Sequence, residues 1–265
     1  MKLSRVLLLI AVLIAALAVA ACGGAAPAPA APKEEAAPKE EAKAEAPAQK
    51  TYEDLVVGYA QIGAESEWRT ANTASIKEEA EKLGVELKFS DAQQKQENQI
   101  KAIRSFIAQQ VDVIGVSPVV ETGWETVFQE AKDAGIPLIL VDRRADVPED
   151  LYATYLGSDF VEEGHKAGKA MMELLPDGGK VVELVGTVGS APANDRAKGF
   201  REAIEGDDGI EIIASQSGDF TRAKGKEVME AFLKTYGEDI DALYAHNDDM
   251  AIGAIQAIEE YGLKP

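Results

Sequence analysis

Five short stretches concentrate the side chains that could do chemistry. Gln61-Ile62-Gly63-Ala64-Glu65-Ser66-Glu67-Trp68-Arg69 sets carboxylates, a guanidinium and a large aromatic within one loop and helix start. Asp142-Arg143-Arg144 puts charges directly after an apolar run ending at Val141. Val185-Gly186-Thr187-Val188-Gly189 leads to Asn194-Asp195-Arg196 at an expected helix start, and Ser217-Gly218-Asp219-Phe220-Thr221 and Ala245-His246-Asn247-Asp248-Asp249 complete the set. This mixture suits a polyhydroxylated ring: hydroxyls want bidentate acceptors and fork-shaped donors, and the C–H face of a pyranose or furanose packs on an aromatic ring. Blander readings stand beside it. Glu65 and Glu67 could simply complement a helix dipole, and Asp142 to Arg144 could be a surface turn.

Turnover chemistry finds less support. His165 and His246 belong to no HExxH pattern or cysteine–histidine cluster, so no metal site is expected. The glycine-rich loop after Val185 has neither GxGxxG spacing nor a P-loop lysine, so no nucleotide cofactor is expected, and there is no nucleophile elbow. Asp248 and Asp249 are adjacent at a helix start and therefore diverge, which favours N-capping over a catalytic carboxylate pair. The reading is of a binding protein, not an enzyme, with no cofactor.

The elements that must position these residues alternate regularly. Strands are expected at 55–60, 85–89, 111–116, 137–141 and 151–156, separated by helices at 67–83, 96–109 and 123–134. A second run follows, with helices at 162–175, 195–204, 221–236 and 250–261 and strands at 180–185, 210–215 and 242–246. Such alternation implies parallel sheets flanked by helices, in two successive α/β units with the crossover near Tyr155. Every candidate stretch then falls after a strand, where open α/β sheets bind ligands. Because the alternation asks for another strand after Gly262, the sequence reads as C-terminally truncated.

Ahead of these units, residues 1–22 carry Lys2, Arg5 and an apolar run at 7–21, the pattern of an export signal. Val19-Ala20-Ala21-Cys22 resembles a lipobox, which makes Cys22, the chain's single cysteine, the expected lipid anchor. Residues 23–51 are mostly Ala, Pro, Glu and Lys with little to bury, and read as a disordered tether. A net charge of −19 argues against nucleic acid as a partner.

Asp142-Arg143, Ser217-Gly218-Asp219-Phe220-Thr221-Arg222 and His246-Asn247-Asp248-Asp249-Met250 resemble the periplasmic sugar-binding proteins of ribose-type ABC importers. The resemblance spans residues 55–265. Glu65-Ser66-Glu67-Trp68-Arg69 and Asp91-Ala92-Gln93-Gln94-Lys95-Gln96-Glu97-Asn98-Gln99-Ile100 are similar to the galactofuranose-binding branch, which has Gly where this chain has Glu67. The resemblance implies a type I periplasmic binding protein: two Rossmann-like lobes, at 52–155 and 156–265, closing on one monosaccharide and docking on an ABC permease with its ATPase subunit. It also implies a monomer at the cell envelope, held to the membrane through Cys22. Carried over by position, Glu65, Arg69, Asp142 and Arg143 bind sugar from the first lobe. Arg196, Phe220 and Asn247 do so from the second, and Trp68 is a further platform. A sugar sensor feeding a chemoreceptor or signalling kinase is the alternative, since it would use the same fold and site.

Overall fold

The computed structural model describes residues 50–206 and 209–265. The expected export signal, Cys22 and the expected tether as far as residue 49 lie outside the described residues. Lys50 and Thr51, expected to close the tether, are instead tied to the folded part. The backbone N–H and hydroxyl of Thr51 donate to Asp54 at 2.9 and 2.7 Å, and the Lys50 ammonium reaches Asp112.

Strands β1 (Val56–Gln61), β2 (Glu86–Asp91), β3 (Val113–Val116), β4 (Leu138–Val141) and β5 (Thr154–Leu156) form one parallel sheet in the order β2-β1-β3-β4-β5. Its inner strands are short, largely apolar runs, as strands covered on both faces must be. The crossovers are helices α1 (Glu67–Leu83), α2 (Gln96–Ala108) and α3 (Glu125–Asp133). Ser66 caps α1 by accepting the Arg69 N–H at 3.1 Å, which pins the residue after the loop to the helix. A core around Trp124, Phe128, Ile114 and Leu138 fills the space between sheet and helices.

The second sheet is parallel with order β7-β6-β8, from β6 (Gly179–Val185), β7 (Ile210–Ser217) and β8 (Ala242–Ala245). Helices α4 (Phe160–Leu174), α5 (Ala191–Ile204), α6 (Arg222–Tyr236) and α7 (Asp248–Tyr261) cover it. Helices α4 and α5 pack backbone to backbone: a Cβ on Gly199 would lie 2.0 Å from the Val161 carbonyl oxygen. The α/β architecture with parallel sheets is that expected from the alternation, and in both sheets the chain leaves β1 or β6 for neighbours on either side. That reversal opens a crevice at the strand C-termini.

Three local expectations need correction. Helix α5 starts at Ala191, four residues before Asp195, because Pro192 fits the first turn, where its missing N–H costs nothing. Arg196 therefore sits in the second turn. The run at 151–156 is strand only from Thr154, after a 3₁₀ turn at Glu149–Leu151. The strand expected from 111 begins at Val113, because Asp112 spends its carboxylate on the Val56 N–H at 2.8 Å. Among the described residues no helix is long and apolar enough to cross a membrane.

Candidate functional site

The C-termini of β1 and β4 are separated by β3 alone, so they lie about 10 Å apart, within reach of an arginine. Glu65 follows β1, Arg69 lies in the first turn of α1, and Asp142 and Arg143 follow β4. Arg69 joins them: its Nε donates to Glu65 Oε1 at 3.0 Å, its Nη2 to Asp142 Oδ2 at 2.5 Å and its Nη1 to Asn72 at 3.3 Å. Arg143 Nη2 lies 3.5 Å from the same Glu65 oxygen, and its Nη1 donates to the Val119 carbonyl at 3.0 Å. Asp142 holds this place with a left-handed φ of 64°, a conformation aspartate tolerates better than most residues.

Two carboxylates and two guanidiniums thus meet almost out of contact with water, with side-chain exposures of 2–3% for Glu65, Arg69 and Arg143. Their charges balance, but the two cations fare differently. Burial alone would lower Arg69, yet Asp142 and Glu65 more than offset it and hold the guanidinium above its ordinary pKa. Arg143 is pulled down to about 10, by burial first and then by Arg69, against the opposing pull of Glu65 and Asp142. Glu65 Oε2 and Arg143 Nε are buried and have no hydrogen-bond partner within the protein.

The second sheet faces this lattice with an aromatic ring. Phe220 and Asp219 both adopt left-handed backbone, at φ 60° and 51°, after β7. Two such residues in succession are a strained turn that surrounding contacts must hold. Asn247 supplies one: its Nδ2 donates to the Phe220 carbonyl at 3.0 Å while its Oδ1 caps α7 by accepting the Met250 N–H at 3.1 Å. Gly186 supplies the space, since a Cβ there would lie 1.9 Å from the Phe220 ring. The ring centroid is 5.2 Å from the Arg143 guanidinium carbon and 6.0 Å from that of Arg196. Arg196 is held from α4, donating to Glu163 through Nε and lying over the Phe160 ring at 4.7 Å. Residues following strands of both sheets enclose a cavity of about 620 Å³, lined by all seven carried-over residues and by Trp68, which stacks under Arg69 and is 56% exposed.

Several lining residues were not singled out from the sequence. Phe160 and Glu163 are helix residues with no local mark of a site. Asp249 was read as an N-cap, but Asn247 caps α7. Asp249 instead crosses the cleft, accepting the Glu67 N–H at 2.9 Å and an Arg222 guanidinium N–H at 3.0 Å. A second bridge joins the Glu121 N–H to the Gly189 carbonyl at 2.8 Å, beside a contact of the Glu121 carboxylate with Asn194. Beneath the cavity His246 Nε2 lies 3.1 Å from Glu183, a carboxylate buried in the central strand β6. Burial would raise Glu183, but hydrogen bonds from His246, Arg201 and Ser215 prevail and bring it down to about 2. Among the described residues no group of three or more His, Cys, Asp and Glu side chains is arranged to hold a metal ion.

A family described as a periplasmic binding protein domain matches residues 57–265. The galactofuranose-binding protein of Escherichia coli is 58% identical over 217 residues, which are 80% of this chain and 68% of that protein. The ribose import binding protein of Bacillus subtilis is 34% identical over 187 residues, 71% of this chain and 60% of the relative. Among solved structures, the binding component of the arabinose ABC transporter from Shewanella, bound to α- and β-L-arabinofuranose, is 54% identical. It superposes with a TM-score of 0.77, covering 79% of this chain and 70% of its own.

Proposed function

The chain belongs to the periplasmic binding protein family, and from that membership we propose that it captures a monosaccharide of the galactofuranose kind between two lobes and delivers it to an ABC permease. Its role is binding, since the family and the relatives named above are binding proteins. One observation carries the sugar reading: the charge-balanced lattice of Glu65, Arg69, Asp142 and Arg143, with buried polar atoms still unpaired, faces the Phe220 ring across a cavity of about 620 Å³. That cavity is within the range of small-molecule sites. A furanose offers hydroxyl donors and acceptors around its edge and a C–H face to the ring. With lobes at 52–155 and 156–265, neither half completes the hydrogen bonds, so ligand favours closure by its differential affinity. The permease with its ATPase subunit is the proposed partner, the protein acts as a monomer, and Cys22, in its lipobox-like setting, anchors it in the cell envelope.

Titration calorimetry of the chain with L-arabinose, D-galactose, D-fucose, D-ribose and D-fructose tests the reading, with myo-inositol as a polyol lacking a furanose form. Saturable heats with the furanose-forming sugars are expected. Heats indistinguishable from dilution for all of them would refute it.

A further inference from the structure

Among the described residues, three buried side-chain polar atoms lack a hydrogen-bond partner: Glu65 Oε2, Arg143 Nε and His246 Nδ1. All three belong to residues that line the cavity described above. Folded chains rarely leave such atoms unpaired without a use for them. Two of the residues are already in the proposed site, and the third is not.

His246 directly follows β8, with its ring tilted against Tyr244 at 4.9 Å and Tyr244 stacked on Phe200 at 4.2 Å, so the imidazole plane is fixed by packing. Glu183 takes two Arg201 N–H bonds, at 3.0 and 2.6 Å, and the Ser215 hydroxyl at 2.6 Å. Those donors keep it ionised and able only to accept, which places the imidazole proton on Nε2. Burial holds the ring neutral. Nδ1 is then a pure acceptor. The carboxylate and amide acceptors beside it are engaged: both Asp249 oxygens, on Glu67 and Arg222, and Asn247 Oδ1, on Met250. Arg196 only donates.

We propose that His246 is a specificity-determining contact whose Nδ1 accepts a hydroxyl from the bound sugar, with Glu183 as the positioning residue that fixes its tautomer. The inference rests on the sugar-binding reading and deepens it. A sugar lacking that hydroxyl leaves the nitrogen unpaired, so the site discriminates by hydroxyl pattern, as sites built around buried polar groups do.

Calorimetry of wild type and H246Q with D-galactose, L-arabinose and their monodeoxy analogues tests it. Glutamine keeps an amide near Glu183 and removes the Nδ1 acceptor. H246Q is expected to bind the parent sugar roughly 10- to 100-fold more weakly, and one deoxy analogue is expected to bind both proteins alike. If wild type binds and H246Q stays within about threefold of it, the inference falls and the sugar reading stands. If wild type binds none of these sugars, both fall. Should H246Q fail to fold, nitrogen-15 spectra of the unmodified chain decide, since it has only two histidines. Saturating sugar is expected to move the Nδ1 resonance of the buried ring, and an unmoved resonance overturns the inference.

Discussion

Arg143→Met separates what this residue does for the sugar from what it does for the fold. A guanidinium held at about 10 instead of 12.5 costs about 3 kcal/mol of stability, at about 1.4 kcal/mol per tenfold in proton affinity. The sign follows from the unfolded chain holding the proton more tightly. The cost is fully present at neutral pH and fades only as pH rises through the window from about 10 to 12.5. Methionine removes that cost and retains most of the apolar stem. Against it stand the lost bond to the Val119 carbonyl at 3.0 Å, worth about 1.5–3 kcal/mol for a charged donor. The lost contact with the Phe220 ring adds about 0.5–2 kcal/mol. These nearly cancel. The unfolding midpoint without sugar is expected within about 4 °C of wild type. Binding has no such compensation: the donor is gone and Glu65 and Asp142 are left with one cation, so affinity should fall about 100-fold or more. Differential scanning calorimetry without sugar and titration calorimetry with it measure the two separately. A midpoint lowered by more than about 8 °C would show that Arg143 is chiefly a structural charge. Unchanged affinity would remove it from the site.

Arg196→Ala removes the cation of the opposite lobe and should weaken sugar binding roughly 10- to 100-fold in the same titration; wild-type affinity would mean that one lobe suffices. Gly186→Ala drives a methyl into the Phe220 ring, 1.9 Å from an ideal Cβ, and should cost about 1–3 kcal/mol of stability together with much of the affinity. A variant matching wild type in both would show that the ring is free to move. Stability should fall in two steps on acidification, followed by denaturant unfolding against pH. Below the usual histidine value of 6.5, unfolded His246 takes a proton that the buried ring resists, because of burial first and then Arg196 and Arg201, with Glu183 opposing. Below the usual value of 4.5, stability held by ionised Glu183 is lost progressively toward about 2. Glu183→Gln should abolish the second step, and its persistence would assign that step to other carboxylates.

The parallel sheets were legible because strands covered on both faces must be short apolar runs, and helices at 3.6-residue period alternate with them. The charged residues after β1 and β4 were legible for the same reason, since chemistry gathers where such strands end. Misreadings arose where one residue type has two uses. Pro192 reads equally as loop or first turn, and that ambiguity displaced Arg196 by just over one helical turn. Asp249 has the sequence context of an N-cap, yet its partner Glu67 lies 182 positions away and on the other lobe, a separation no local pattern encodes. The deeper limit is that a sequence names polar groups without saying which are already spent. Asn247 and His246 are neighbours with the same apparent claim on a ligand. In the folded chain Asn247 commits its carbonyl to capping α7 and one amide hydrogen to holding the Phe220 turn. His246 keeps one nitrogen unpaired because a carboxylate 63 residues earlier has fixed the other. Selectivity among sugars then follows from which atoms the fold leaves over, and that remainder exists only once every other donor and acceptor has found its place.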